Sequence, residues 1–70
     1  MTADQIEKGK SYTDKRGNVR LVTRIFLKEH SDLDLIHFRI TDRKPYSKHQ
    51  INTNHTITRR SFAQWAREFV

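Results

Sequence analysis

The chain predicts a small α+β fold: an antiparallel β-meander of four to five strands, curled or closed toward a half-barrel, with one C-terminal helix packed on it. Three observations predict it. Residues 19–28 and 35–41 alternate apolar and polar side chains with the period of a half-buried strand. Asp14-Lys15-Arg16-Gly17 has the composition of a tight turn, with Asp suited to its first position and Gly to its last. Phe62, Trp65, Ala66 and Phe69 recur at i, i+3, i+4 and i+7, the spacing of one apolar helix face. Seventy residues leave room for one domain, assigned to residues 9–70 behind a flexible N-terminal tail over 1–8 in which Ile6 is the residue able to dock.

Taken in order, Gly9 opens the ordered part, and residues 10–13, carrying Tyr12, suit a first strand that forms a hairpin across the 14–17 turn. In residues 19–28 the odd positions Val19, Leu21, Thr23, Ile25 and Leu27 are expected inward. The even positions Arg20, Val22, Arg24, Phe26 and Lys28 are expected outward. Residues 29–34 form a polar, acidic loop. In residues 35–41, Ile36, Phe38 and Ile40 point inward and His37 and Arg39 outward. Pairing Lys28 with Leu35 places Ile25 opposite Phe38 and Arg24 opposite Arg39. Residues 42–49 form a basic loop in which Pro45 removes a donor and holds Lys44 extended. Residues 50–58 read as one weak strand, or two short ones broken near Asn52 to Asn54. Residues 61–70 read as the helix, with Ser61 and Gln64 as a capping box.

The expected core is Tyr12, Val19, Leu21, Ile25, Leu27, Ile36, Phe38, Ile40, Ile51, Ile57, Phe62, Trp65, Ala66 and Phe69. With no cysteine to staple it, a core of this size supplies roughly 3–5 kcal/mol. The absence of cysteine excludes disulfide scaffolds and thiolate zinc sites. The longest apolar run, Ile25-Phe26-Leu27, is too short for a membrane span or a signal peptide, so a soluble cytoplasmic protein is expected.

Fourteen Lys and Arg against eight Asp and Glu give a net charge of +6, which favours anionic partners. The charge is clustered. The segment 15–28 holds five basic residues and no acidic one. By strand parity Arg20, Arg24, Lys28 and Arg39 share an outward face with Val22 and Phe26 between them. Like charges facing each other across strands repel, and an anion lying over them relieves the repulsion. The loop over 43–49 continues the theme with Arg43, Lys44 and Lys48 around Tyr46. These residues are the candidate nucleic-acid contacts: the cations for phosphates, and Phe26, Tyr46 or His37 for stacking on an unpaired base. The contrasting reading is a solvated face whose cations guard strand edges against aggregation. A further reading takes Val22, Phe26 and a polar edge near residues 50–53 as a docking or inhibitory surface for a host protein.

Other constellations carry less chemistry. Arg59 and Arg60 fall at the helix start, where cations oppose the helix dipole; they read as solvated or as phosphate contacts. Glu29, Asp32 and Asp34 lack the spacing of a calcium loop and read as a solvated turn, so no metal site is expected. The four histidines form no zinc-binding spacing. No Gly-rich phosphate loop or Gly-x-Ser-x-Gly elbow is present, so neither an enzyme nor a cofactor is expected.

The rhythm Gly9-x-x-Tyr12-x-Asp14-x-x-Gly17, the strand over 20–27, Ile36-x-Phe38-Arg39 and Phe62-x-x-Trp65 resembles small prophage-encoded proteins, and is similar to SH3-like half-barrel modules. The likeness covers residues 9–69. It departs from KOW-type modules in its long Pro45 loop and its terminal helix. It implies a phage or bacterial accessory protein acting by binding, and it transfers no ligand residue.

Overall fold

The computed structural model describes residues 1–26, 33–42 and 51–70. Five strands, β1 (Ser11–Thr13), β2 (Val19–Phe26), β3 (Leu35–Asp42), β4 (Asn54–Thr58) and β5 (Glu68–Phe69), form one antiparallel sheet in the order β4-β3-β2-β1-β5. A helix, α1 (Arg59–Trp65), packs on one face. The fold is thus the expected small antiparallel sheet with a single helix.

The first hairpin forms because Asp14 organises its turn. Its carboxylate accepts from the main-chain nitrogens of Arg16 (2.9 Å) and Asn18 (3.0 Å) and from the Asn18 amide (2.9 Å). Gly17 takes a φ of 89°, which strains any residue with a Cβ. Tyr12 then pairs with Arg20.

β2 departs from simple alternation. Its pairing with β3 shifts between Val19 and Arg20 and again between Val22 and Arg24. The second shift leaves Thr23 as an extra residue, its hydroxyl donating to the His37 carbonyl at 3.2 Å. The expected register is corrected accordingly: Phe26 pairs with Leu35, Ile25 with Ile36, Arg24 with His37 and Val22 with Phe38. The irregularity reverses the inward set before Thr23 and leaves Ile25 inward as expected. Arg20, Val22 and Ile25 face the helix, and Val22 is fully buried. β3 alternates as expected, with Ile36, Phe38 and Ile40 buried. Of the stretch expected to hold one or two strands, the described residues 51–58 yield one, β4, after Asn52 takes a φ of 67°.

The core joins Tyr12, Val22, Ile36, Phe38 and Ile40 from the sheet to Phe62, Ala63 and Ala66 from the helix region, with Ile6 from the N-terminal segment. Ile51 and Phe69, expected inside, are exposed, and Val19 and Leu21 are half-buried. The N-terminal segment is not a trailing tail. A 3-10 turn at Ala3–Gln5 seats Ile6 in the core, and the Tyr12 hydroxyl bridges the Gln5 carbonyl (2.8 Å) and the Glu7 nitrogen (2.7 Å).

The helix starts earlier and stops sooner than its apolar spacing suggests. Thr58, not Ser61, is the N-cap, its hydroxyl accepting from the Ser61 nitrogen at 3.2 Å. Ala66 turns extended, with ψ at 137°, and the chain returns to the sheet. The Arg67 nitrogen donates to Thr13 (2.9 Å) and the Val70 nitrogen to Ser11 (3.1 Å), so Phe69 lies on a strand and rests its ring 5.2 Å from that of Tyr12. Among the described residues no helix is long and apolar enough to cross a membrane.

Candidate nucleic-acid interface

The face of the sheet turned away from α1 is built in rungs. Ser11, Leu21, Arg39 and Asn54 form one, Arg24, His37 and Thr56 the next, and Phe26, Leu35 and Thr58 the third. Cross-strand partners share a face, and alternate positions on β3 and β4 place these side chains opposite the core set. Neither the helix nor the N-terminal turn covers this surface.

Its chemistry is cationic, polar and aromatic, with no carboxylate in the three rungs. Arg24 and Arg39 are exposed, and the ion pairs among the described residues lie elsewhere, at Lys10–Glu7 and Arg59–Asp34. The Phe26 ring, 38% exposed, meets the His37 ring edge-to-face at 5.0 Å, and the Arg24 guanidinium stands 5.5 Å from the Phe26 centroid. Two cations without an ion pair among the described residues therefore share this face with an accessible ring pair, Arg24 in the rung of His37 and Arg39 in the next, with Thr56 and Asn54 supplying neutral donors and acceptors alongside.

Of the nine sequence-predicted contacts, Arg24, Phe26 and Arg39 are brought together on this face. Lys28, Arg43, Lys44, Tyr46 and Lys48 lie outside the described residues. Arg20 is a correction. The irregularity in β2 turns it to the opposite face, where its guanidinium carbon lies 4.0 Å from the Trp65 ring, 4.6 Å from Phe38 and 5.9 Å from Phe62. Burial disfavours its charged form and lowers its pKa, against the opposing pull of Asp14. Val22 leaves the outer face with it.

Two charged residues read as solvated are structural. Asp34 turns inward rather than sitting in a solvated acidic loop; Glu29 and Asp32 lie outside the described residues. Arg59 Nε donates to the Asp34 carboxylate at 3.0 Å, both side chains being nearly buried. Arg59 Nη1 donates to the carbonyls of Ala3 (3.1 Å) and Ile6 (2.7 Å). Arg59 thus ties the helix start, the entry to β3 and the N-terminal turn together, while Arg60 is exposed.

Comparison with known protein families, with curated proteins and with solved structures finds no match to this chain. The functional reading therefore rests on the site's own chemistry.

Proposed function

We propose that this protein is a non-enzymatic binding module that takes a single-stranded nucleic acid across the outer face of its sheet. The observation that carries the reading is an accessible ring pair, Phe26 and His37, with Arg24 against Phe26 and Arg39 one rung beyond His37, neither arginine in an ion pair among the described residues. Arginines meet phosphates, and a ring lying on an open sheet accepts an unpaired base, a combination that tolerates many sequences. An open strand favours this surface over a duplex, because the only described α-helix, seven residues long, shows Arg60, Ser61 and Gln64 to solvent and offers no long reading face.

Anisotropy titrations of labelled single- and double-stranded oligonucleotides against salt test the reading. Single strands should bind more tightly, and affinity should fall steeply as salt rises. No association with either at low salt overturns the proposal.

One observation favours a second reading, strand addition by a protein partner. β4 ends the described sheet and carries no charged residue. The Ile40 nitrogen bonds the Thr53 carbonyl and the Arg59 nitrogen bonds the Asp34 carbonyl, so by alternation Asn54, Thr56 and Thr58 direct their main-chain groups away from β3. A protein retained from nuclease-treated lysate by the natural chain, and lost with Thr56→Pro, supports this reading over the first.

A further inference from the structure

Two arginines among the described residues are drawn inward, and they are treated differently. Arg59 has a carboxylate and two carbonyls for its donors. Arg20 has rings only. Trp65 and Phe38 lie against its guanidinium at 4.0 and 4.6 Å, yet no hydrogen bond or ion pair ties its N–H groups to an acceptor among the described residues. A guanidinium has five N–H donors in one plane and no acceptor. Rings satisfy its flat faces and leave the in-plane donors unmet.

The carboxylate that acts on it, Asp14, is committed to its own turn through Arg16 and Asn18. The protein thus holds a half-buried, ring-braced fork of donors that no carboxylate pairs with among the described residues. Such a fork matches the spacing of two oxygens on a tetrahedral oxyanion, and partial removal from water strengthens the pairing.

We infer that Arg20, braced by Trp65 and Phe38, is a binding site for a phosphate group, free or at the end of a nucleotide, held by the in-plane donors of its guanidinium. The site lies on the helix side of the sheet, opposite Arg24 and Arg39, and does not rest on the function proposed for the outer face. The two can fail separately.

The chain holds one tryptophan, Trp65, so its fluorescence reports on this position alone. The full chain is titrated with inorganic phosphate, with a nucleoside 5′-monophosphate and with acetate, at ionic strength matched by potassium chloride. The expected result is a saturable change with both phosphates, a weaker one with acetate, whose two oxygens fit the same fork with less charge, and none with chloride. Equal dissociation constants for the two phosphates make the free ion sufficient; a tighter monophosphate identifies a nucleotide. Arg20→Lys, which keeps the charge and loses the planar fork, should bind roughly tenfold more weakly. Arg20→Met, which keeps the stem against the rings, should not respond. In the unmodified protein the Arg20 Nε–H resonance should shift with the same midpoint as the fluorescence, a measurement independent of how the variants fold. A change that never saturates, a response equal to that of acetate, saturation unaltered in Arg20→Met, or an unmoved Arg20 resonance overturns the inference.

Discussion

At the scale of single residues, charge alone is a poor guide to place. Arg20, Arg59 and Asp34 all read as solvent-facing because their heads are ionised, yet an arginine's stem and flat faces pack on apolar surface as readily as a hydrocarbon. What separates them is the partner set. Breaking the buried Arg59–Asp34 pair from one side leaves an uncompensated charge, so Arg59→Met should cost about 3–5 kcal/mol, enough to abolish cooperative unfolding in a domain this small. Replacing both, with Asp34→Leu added, should recover part of that loss in urea unfolding monitored by circular dichroism. Asp14 carries a pH dependence. Partial burial pushes its carboxyl up, but hydrogen bonds from the Asn18 side chain and from the main chain of Asn18, Arg16 and Gly17 outweigh burial and hold it below the ordinary value. A carboxyl depressed in the folded state stabilises it above the unfolded value of about 3.9, and that contribution disappears as the pH drops through the depressed value. The stability gap between the natural chain and Asp14→Ala should therefore be widest near neutrality and should narrow in acid below about pH 4.

Among the elements, β3 was fully legible and β2 was not, and the difference is physical. In β3 each inward position is large and apolar and each middle outward one is His or Arg, so only one phase buries the hydrophobic set. In β2 both phases contain apolar residues, Val19, Leu21 and Ile25 against Val22 and Phe26. The irregularity at Thr23 lets Val22 and Ile25 share the core side, which no fixed period can express. Among the described residues the candidate interface was legible in part: Arg24, Phe26 and Arg39 share a face because they lie beyond Thr23 or on β3, while Arg20 and Val22 precede it and are reversed. The helix spacing miscounted Phe69 for a related reason. Arg67 to Val70 satisfies a strand as well as a helix, and the main-chain bonds to Thr13 and Ser11 favour the strand. The N-cap at Thr58 was hidden behind two arginines that the dipole argument sets against a helix start; the Arg59 ion pair offsets that cost. Thr58→Ala should cost about 1 kcal/mol, a large share for a seven-residue helix, and should appear as a lower urea midpoint with unchanged slope.

On the scale of the whole molecule, the stability of the fold and the proposed binding of single strands fall to opposite faces of one sheet. The helix side holds the core, the buried ion pair and the docked N-terminal segment; the outer side holds the exposed Arg24, Phe26, Arg39, Asn54 and Thr56 among half-buried neighbours such as Leu21, Leu35 and His37. The sheet is thin enough that each strand residue belongs to one side only, so the two properties should separate by substitution. Ile6 is 1% exposed and sits where the N-terminal turn meets the core, so Ile6→Ala should cost about 2–5 kcal/mol through lost burial and the cavity left behind. Arg24→Gln with Arg39→Gln removes two exposed cations that make no ion pair among the described residues, so thermal stability should stay within about 0.5 kcal/mol of the natural chain. The same double variant should bind single-stranded oligonucleotides more weakly at low salt, with the slope of log K against log salt flattened by about 0.7 for each phosphate no longer neutralised. Phe26→Ala should lower affinity while leaving that slope unchanged, because a stacked base releases no counterion. Melting curves and salt titrations on the same samples decide it. If the double arginine variant loses stability along with affinity, or binds with an unaltered salt slope, the outer face is not the surface that meets phosphate.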